Sequence, residues 1–217
     1  MRLLAACLLA CAVSACRLID PEVVNLATSH ATSDFHTYQL QRVGLLHFGG
    51  EGVTFEESRE LQSSLFSELS SVVPFEVVPL DLQDIAEIPV SDPFRRGSYN
   101  PRTVIDVARR FRLNGILIGT VTDRHQFSPQ RIGLQVDLVA AETGLVIWSG
   151  SVYLDAAQDQ VRENVRLWAE GRQGDIADID WKLSLISPRR FGQFATYQLA
   201  RQMNSATTTP LPANGPQ

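Results

Sequence analysis

Cysteine is absent from all but the first sixteen residues of this 217-residue chain. The three cysteines are Cys7, Cys11 and Cys16, and all of them lie in a segment that looks like an export leader. The rest of the chain therefore has no disulfide framework, no cysteine nucleophile and no zinc–thiolate site. We expect the fold to be held together by its core alone.

Lysine is also scarce, and the chain has no excess of positive charge. Lys182 is the single lysine, and the other basic side chains among the 19 are arginines. The formal net charge is −5, and it becomes −6 once Arg2 is removed with the leader. Nucleic acid is not an expected partner, because its binding needs a concentrated basic face.

Complete nucleotide-binding signatures are missing, although the stretch "LLHFGGEGVTFEES" has the strand, glycine turn and helix of a phosphate loop. Gly50 and Gly52 are followed by Phe55 where a dinucleotide fingerprint needs its third glycine, and no glycine loop leads into Gly-Lys-Ser/Thr. Glu51 would place negative charge where a phosphate should lie. The stretch predicts a turn, and we expect neither a nucleotide nor another cofactor.

The N-terminus does contain an export signal. Residues 1–15 combine Arg2 with an apolar run over 3–13, which is shorter than the roughly 18–20 residues that cross a bilayer. The sequence "VSAC", ending at Cys16, resembles a bacterial lipobox, whose cysteine is acylated (with palmitate, for example) and becomes the mature N-terminus. "LLAC" at Cys11 is a competing site with a shorter apolar run. Arg17, rather than an acidic residue, follows Cys16, which favours the periplasmic side of the outer membrane.

The remainder is predicted to be a lipid-anchored tether over 16–41, one domain over 42–204 and a disordered, Pro/Thr-rich tail over 205–217. Thr54 and Glu57 form a capping box at the start of one helix, and Ser187 with Pro188 opens the last helix. Apolar runs and alternation predict strands, and 3.6-residue periodicity predicts helices. The predicted strands are 42–48, 74–80, 114–123, 131–141 and 145–154. Four helices are predicted: one begins at Thr54, one begins at Pro101, and two span about 157–171 and 187–204. The order predicts an α/β fold: a single three-layer domain whose mixed sheet has a parallel start and a C-terminal antiparallel meander, flanked by helices.

Two sets of residues are candidate sites. His47, Asp123 and His125 lie at or just after the carboxyl ends of predicted strands, where open α/β sheets gather ligands. They are compatible with a zinc site, although solvated loop side chains are the commoner case for such residues. Arg189 and Arg190 lie in the first turn of the last helix, where the helix dipole disfavours cations. This pair predicts contact with an anionic partner or another subunit, or an exposed pair that is merely tolerated.

Several segments together resemble one family. "RVGLLHF", "FEVVP", "NGILIGTVT" and "VDLVAAETGLVIWSGSV" resemble the exported domain shared by CsgG, PelC, FlgO, LpoB and the N-terminal domain of TolB. The resemblance implies a CsgG/TolB-N-like fold and a non-enzymatic accessory lipoprotein. CsgG inserts two membrane-spanning hairpins. Here only "DRHQFSPQ" separates the predicted strands near 123 and 131, and residues 81–100 are too polar and proline-broken, so we do not expect a pore. A ring without its own channel, or a tethered activator, fits better.

The predicted function is therefore that of an outer-membrane lipoprotein that serves an envelope secretion, polysaccharide-export or cell-wall synthesis machine. Its expected partners are the membrane, reached through Cys16, and either an envelope protein or further copies of the chain in a ring. The alternatives are an envelope metal-dependent hydrolase built on His47, Asp123 and His125, and a periplasmic small-molecule-binding protein. The latter requires a deep apolar pocket.

Overall fold

A computed structural model describes residues 22–81, 83, 101–172 and 181–208. Within these residues six strands form one mixed sheet in the order β1-β6-β5-β4-β2-β3. The strands are β1 (Thr28–Ala31), β2 (Arg42–Leu45), β3 (Glu76–Pro79), β4 (Gly115–His125), β5 (Arg131–Ala140) and β6 (Val146–Asp155). β2 is parallel to β3 and β4, whereas β4, β5, β6 and β1 are antiparallel in succession. The predicted α/β class, with its parallel start and antiparallel meander, is confirmed.

The described helices are α1 (Phe55–Ser70), α2 (Pro101–Phe111), α3 (Asp159–Arg172), α4 (Leu183–Ile186) and α5 (Pro188–Thr208). α1 begins as predicted, because Thr54 and Glu57 form the full capping box. Ser187 receives a hydrogen bond from the backbone N–H of Arg190 at 3.4 Å, as expected of the residue that caps α5. α5 continues four residues past the predicted end at 204, so the predicted tail begins inside a helix. No described helix has the length and apolar character that crossing a membrane requires.

The sheet separates two apolar layers. Along β4 the side chains alternate: Leu117 and Val121 belong to the larger core, while Ile116 and Ile118 belong to the smaller one. α1 and α5 pack on the larger-core face, and α2 covers the smaller core. The larger core therefore lies between the sheet and the α1–α5 pair, and the candidate site described below opens at one end of it.

The folded region begins before residue 42, contrary to the predicted tether. β1 pairs with the edge of β6, from Thr28 opposite Ser151 to Ala31 opposite Trp148. Phe35 is buried in the larger core, so the segment packs against the domain as well as pairing with it. "TSHA" has no apolar alternation that would predict a strand, and it is held by the free edge of β6. The signal segment, Cys16 and the rest of 1–21 lie outside the described residues.

Candidate functional site

The glycine loop after β2 is a turn that packs closely on β4. Gly49 forms a parallel bridge with Thr120, and the N–H of Val121 donates to the carbonyl of Gly49 at 2.8 Å. Gly50 has φ +152°, and a Cβ there would lie 2.8 Å from the carbonyl oxygen of Val121. The close approach of the loop to β4 therefore requires glycine.

Arg124 ties this loop to both α1 and β4. Its side chain pairs with the carboxylate of Glu57 and donates to the carbonyl of Gly52 at 3.0 Å. Glu57 also accepts the N–H of Thr54 at 3.0 Å within the capping box, and it accepts a hydrogen bond from Gln126. Burial lowers the pKa of Arg124. Glu57 is therefore engaged on several sides, and Arg124 fixes the end of β4 against α1.

His47 is buried just beyond β2. Its side chain is 2% exposed, and its ring stacks on Phe55 with 5.6 Å between ring centroids. Nε2 lies 4.0 Å from the Asp81 carboxylate, and neither ring nitrogen has a hydrogen-bond partner. Burial lowers the pKa of His47, although the negative charge of Asp81 acts in the opposite direction. The ring is therefore held mainly in its neutral form.

The three residues considered for zinc are not brought together as a metal site. Asp123 and His125 face Gly133 and Arg131 of β5 across the ladder, so they share one side of the sheet as their spacing predicts. They lie past the bridge between the glycine loop and β4, whereas His47 lies before it, near the end of β3. Within the described ranges, no group of three or more His, Cys, Asp or Glu side chains could hold a metal ion.

A pocket of about 300 Å³ opens between α1, the start of α5 and the loop end of the β4–β5 hairpin. Its apolar walls come from all three elements, namely Val53, Leu61, Val121, Ile132 and Phe191. Gly192 keeps α5 close to α1, since a Cβ there would lie 3.1 Å from a methyl of Leu61. The pocket thus continues the larger core, at a place where α1 and α5 do not close over it.

The polar groups of the pocket lie on α1, on the hairpin and at the start of α5. Gln130 is 2% exposed, and its side-chain Nε2 has no hydrogen-bond partner. Arg189 also lines the pocket; its side chain is 69% exposed and lies 3.8 Å from the carboxylate of Glu60. Exposed apolar side chains adjoin the lining residues, with Phe127 next to Gln126 and Ile186 next to Ser187.

The two arginines of the predicted pair lie in different surroundings. Arg189 is exposed and is part of the pocket, whereas the next residue, Arg190, is half-buried and is not among the lining side chains. Both lie at the positively polarised end of α5. Their role as a partner contact stays a prediction, but only Arg189 is placed where a bound group would meet it.

Sequence reasoning missed the most informative residue of the pocket. Gln130 follows Pro129 in a short polar hairpin loop, where an exposed side chain is the ordinary expectation. Its backbone carbonyl accepts the N–H of Ala156 at 2.9 Å, and it lines the same pocket as the first turn of α5, so its setting depends on segments distant in the chain. Only the arginine pair gave a sequence signal, through its unfavourable place at a helix N-terminus.

No family model and no curated protein matches this chain. Among solved structures, the PelC dodecamer from Paraburkholderia phytofirmans is 14% identical, with a TM-score of 0.43, over 66% of this chain and 93% of that chain. Lipoprotein GNA1162 from Neisseria meningitidis is 14% identical, with a TM-score of 0.44, over 63% of this chain and 99% of that chain. The LpoB C-terminal domain from Salmonella enterica is 17% identical, with a TM-score of 0.36, over 54% of this chain and 84% of that chain.

PelC and LpoB are members of the group that the sequence resembles. Two of the proteins named from the sequence are thus among the solved structures that this chain is similar to. At such identities the likeness concerns the fold and not the activity.

Proposed function

We propose that this protein is a non-enzymatic lipoprotein anchored through Cys16 to the periplasmic face of the outer membrane. It serves there as an accessory or assembly component of an envelope machine for secretion, polysaccharide export or cell-wall synthesis. The proposal joins the export signal and lipobox of the sequence to the family resemblance. The observation that carries it furthest is that only six residues separate Cys16 from Val23, whose carbonyl is bonded to the domain.

Three contacts show where the N-terminal segment joins the domain. The carbonyl oxygen of Val23 accepts a hydrogen bond from Arg201 on α5, and the N–H of Val24 donates to the Asn164 side chain on α3 at 2.6 Å. Glu22 also pairs with Arg201 at 3.2 Å. The chain from Cys16 to Val23 can therefore span at most about 25 Å, even when fully extended. A domain on so short a connection stays beside the membrane that holds its acyl chains.

This distance favours one kind of envelope role over another. A tether over 16–41 would reach about 80 Å and would suit an activator that works far from its own membrane. The shorter connection suits a component that assembles at the membrane surface. Its partner there is either a second envelope protein or further copies of the same chain.

Fractionation of cells that express the full chain tests the anchor. We expect Cys16→Ser to move the protein from the membrane fraction to the soluble fraction and to change its mobility in gel electrophoresis. Cys11→Ser is the matched control, since it removes the competing lipobox cysteine and should leave both properties unchanged. Retention of the Cys16→Ser variant in the membrane with unchanged mobility would overturn the proposal.

The mass of the intact mature protein in mild detergent separates the two kinds of partner. Light scattering after size exclusion gives a discrete high-order oligomer if the chain forms a ring. A monomer instead requires a different protein as partner, which can then be captured from membranes by cross-linking.

A further inference from the structure

The pocket between α1, α5 and the β4–β5 hairpin has the two chemical halves of a binding site. One half is apolar, formed by side chains such as Leu61, Val121 and Ile132 from three different elements. Its volume of about 300 Å³ lies at the lower end of the roughly 300–1,000 Å³ of small-molecule sites. A bound group would therefore be short and apolar over most of its surface.

The other half offers a hydrogen-bond donor that the protein leaves unused. Gln130 is almost completely buried, yet its Nε2 has no acceptor among the described residues. Buried polar groups are nearly always paired, because an unpaired donor loses its hydrogen bonds to water and gains none in return. A ligand oxygen that reaches this wall would supply the missing acceptor.

A positively charged side chain, that of Arg189, lines the same pocket. Arg189 is held only loosely by Glu60, at 3.8 Å, and lies in the first turn of α5, where the helix dipole is positive. The other acidic side chain of the lining, Glu57, is engaged by Arg124 and by the cap of α1. The charge of Arg189 therefore remains available to an anion.

We infer that this pocket binds an apolar group that ends in a carboxylate. The apolar part lies against Leu61, Val121 and Ile132, and the carboxylate accepts hydrogen bonds from Gln130 Nε2 and Arg189. Such a group is either a short free fatty acid or the C-terminal carboxylate of an apolar peptide. The inference is independent of the lipid anchor, so its failure would leave the proposed anchoring untouched.

The test uses the mature chain with Cys16→Ser, because an unacylated protein needs no detergent that would compete for the pocket. Octanoate is titrated while the methyl signals of Leu61, Val121 and Ile132 are followed by NMR. Ile116, in the smaller core on the other face of the sheet, is the internal control. We expect saturable shifts of the pocket methyls only. Octanol should bind about tenfold more weakly, since it has lost the charged acceptor.

Two variants test the polar half of the site. Arg189→Gln is expected to weaken octanoate binding about five- to tenfold, whereas the matched Arg190→Gln should weaken it less than twofold. Gln130→Met keeps the size of the side chain and removes the donor, with an expected loss of about tenfold. Arg189 is exposed, so its variant remains informative even if Gln130→Met disturbs the fold.

Further outcomes decide the source of the carboxylate or overturn the inference. An acetylated Leu-Leu dipeptide with a free carboxylate, compared with its amide, represents a protein C-terminus. If the dipeptide acid binds more tightly than both its amide and octanoate, the inferred carboxylate binding is supported, and the natural ligand is the C-terminus of a protein. Equal affinity for octanoate and octanol, or equal shifts at Ile116 and the pocket methyls, would overturn the inference. So would an unchanged affinity in both Arg189→Gln and Gln130→Met.

Discussion

Gln62 joins α1 to two neighbouring strands from inside the core. Its Nε2 donates to the carbonyl oxygens of Leu45 at 2.8 Å and Leu80 at 3.0 Å. The carbonyl of Leu45 also accepts the backbone N–H of Leu80, so it keeps one partner when Gln62 is lost. We expect Gln62→Met to lower the free energy of unfolding by about 1–3 kcal/mol, because the carbonyl of Leu80 loses this donor in the interior.

Urea unfolding at neutral pH measures this loss as a lower midpoint with an unchanged slope. Gln160→Met on the exposed surface of α3 is the matched control, and its effect should stay within about 0.5 kcal/mol. Equal midpoints for the two variants would show that the hydrogen bonds of Gln62 contribute nothing to stability.

His47 makes the stability of the fold depend on pH. Its folded-state pKa lies below the ordinary 6.5 because burial disfavours the charged ring. Between the folded pKa and 6.5 the unfolded chain therefore binds more protons than the folded one. The stabilising contribution of the neutral ring is complete above pH 6.5 and decreases as the pH falls below that value. The decrease stops once the pH is below the folded pKa.

We expect the free energy of unfolding to fall between pH 7.5 and pH 5, with a contribution from His47 of at most about 1.4 kcal/mol per pH unit. His47→Gln cannot take up a proton, so the difference between its pH dependence and that of the natural chain isolates the histidine. His30, His36 and His125 are exposed and remain in both proteins. Parallel curves for the two proteins would contradict the prediction.

The elements that follow a clear local pattern could be predicted from the sequence. Ile132, Leu134, Val136 and Leu138 alternate along β5 and all belong to the larger core, and the capping box at Thr54 starts α1. The pocket could not be predicted in this way. It depends on the contact of α1, the β4–β5 hairpin and α5, which are far apart in the chain.

β1 was missed for a related physical reason. Its four residues have little hydrophobicity of their own, and the segment is held by partners distant in sequence. The N–H of Leu26 donates to the Gln198 side chain at 2.7 Å, and Gln202 donates to the carbonyl of Ala27 at 2.6 Å. A local pattern cannot reveal an element whose hydrogen bonds come from a helix about 170 residues away.

Trimming the chain tests the contribution of this segment. A chain that begins at 42 loses β1 and the burial of Phe35 and Ala27. We expect its free energy of unfolding to be lower by about 3–5 kcal/mol. Burying a large apolar side chain such as Phe35 contributes roughly 1.5–3 kcal/mol, and Ala27 with the partly buried Leu26 and Leu40 supplies the rest. It should also aggregate, because β6 becomes an open edge.

A chain that begins at 22 is the control and should keep the full stability of the mature protein. Urea midpoints and light scattering compare the two. If the chain that begins at 42 unfolds at the same urea concentration and stays monodisperse, the segment is only an appendage and the domain starts where the sequence predicted.

At the scale of the whole molecule, α5 relates the proposed anchor to the pocket. The N-terminal segment joins α5 at Arg201, near the carboxyl end of the helix, and the pocket lies at its amino end. About 18 Å of helix separates Arg201 from Arg189, at 1.5 Å per residue. With the connection from Cys16 limited to about 25 Å, the carboxyl end of α5 should on average lie nearer the membrane than the pocket.

Energy transfer to an acceptor dye on the lipid head groups tests this arrangement in acylated protein held in nanodiscs. Acylation blocks Cys16, so Thr208→Cys and Arg190→Cys each carry one reactive thiol, and these sites are about 27 Å apart along α5. We expect stronger transfer from position 208. A flexible 20-residue Gly/Ser insertion after Arg17 should weaken the transfer from both sites, because it lets the domain move away from the bilayer. Equal transfer from the two sites, or no effect of the insertion, would mean that contacts other than the short connection hold the domain at the membrane.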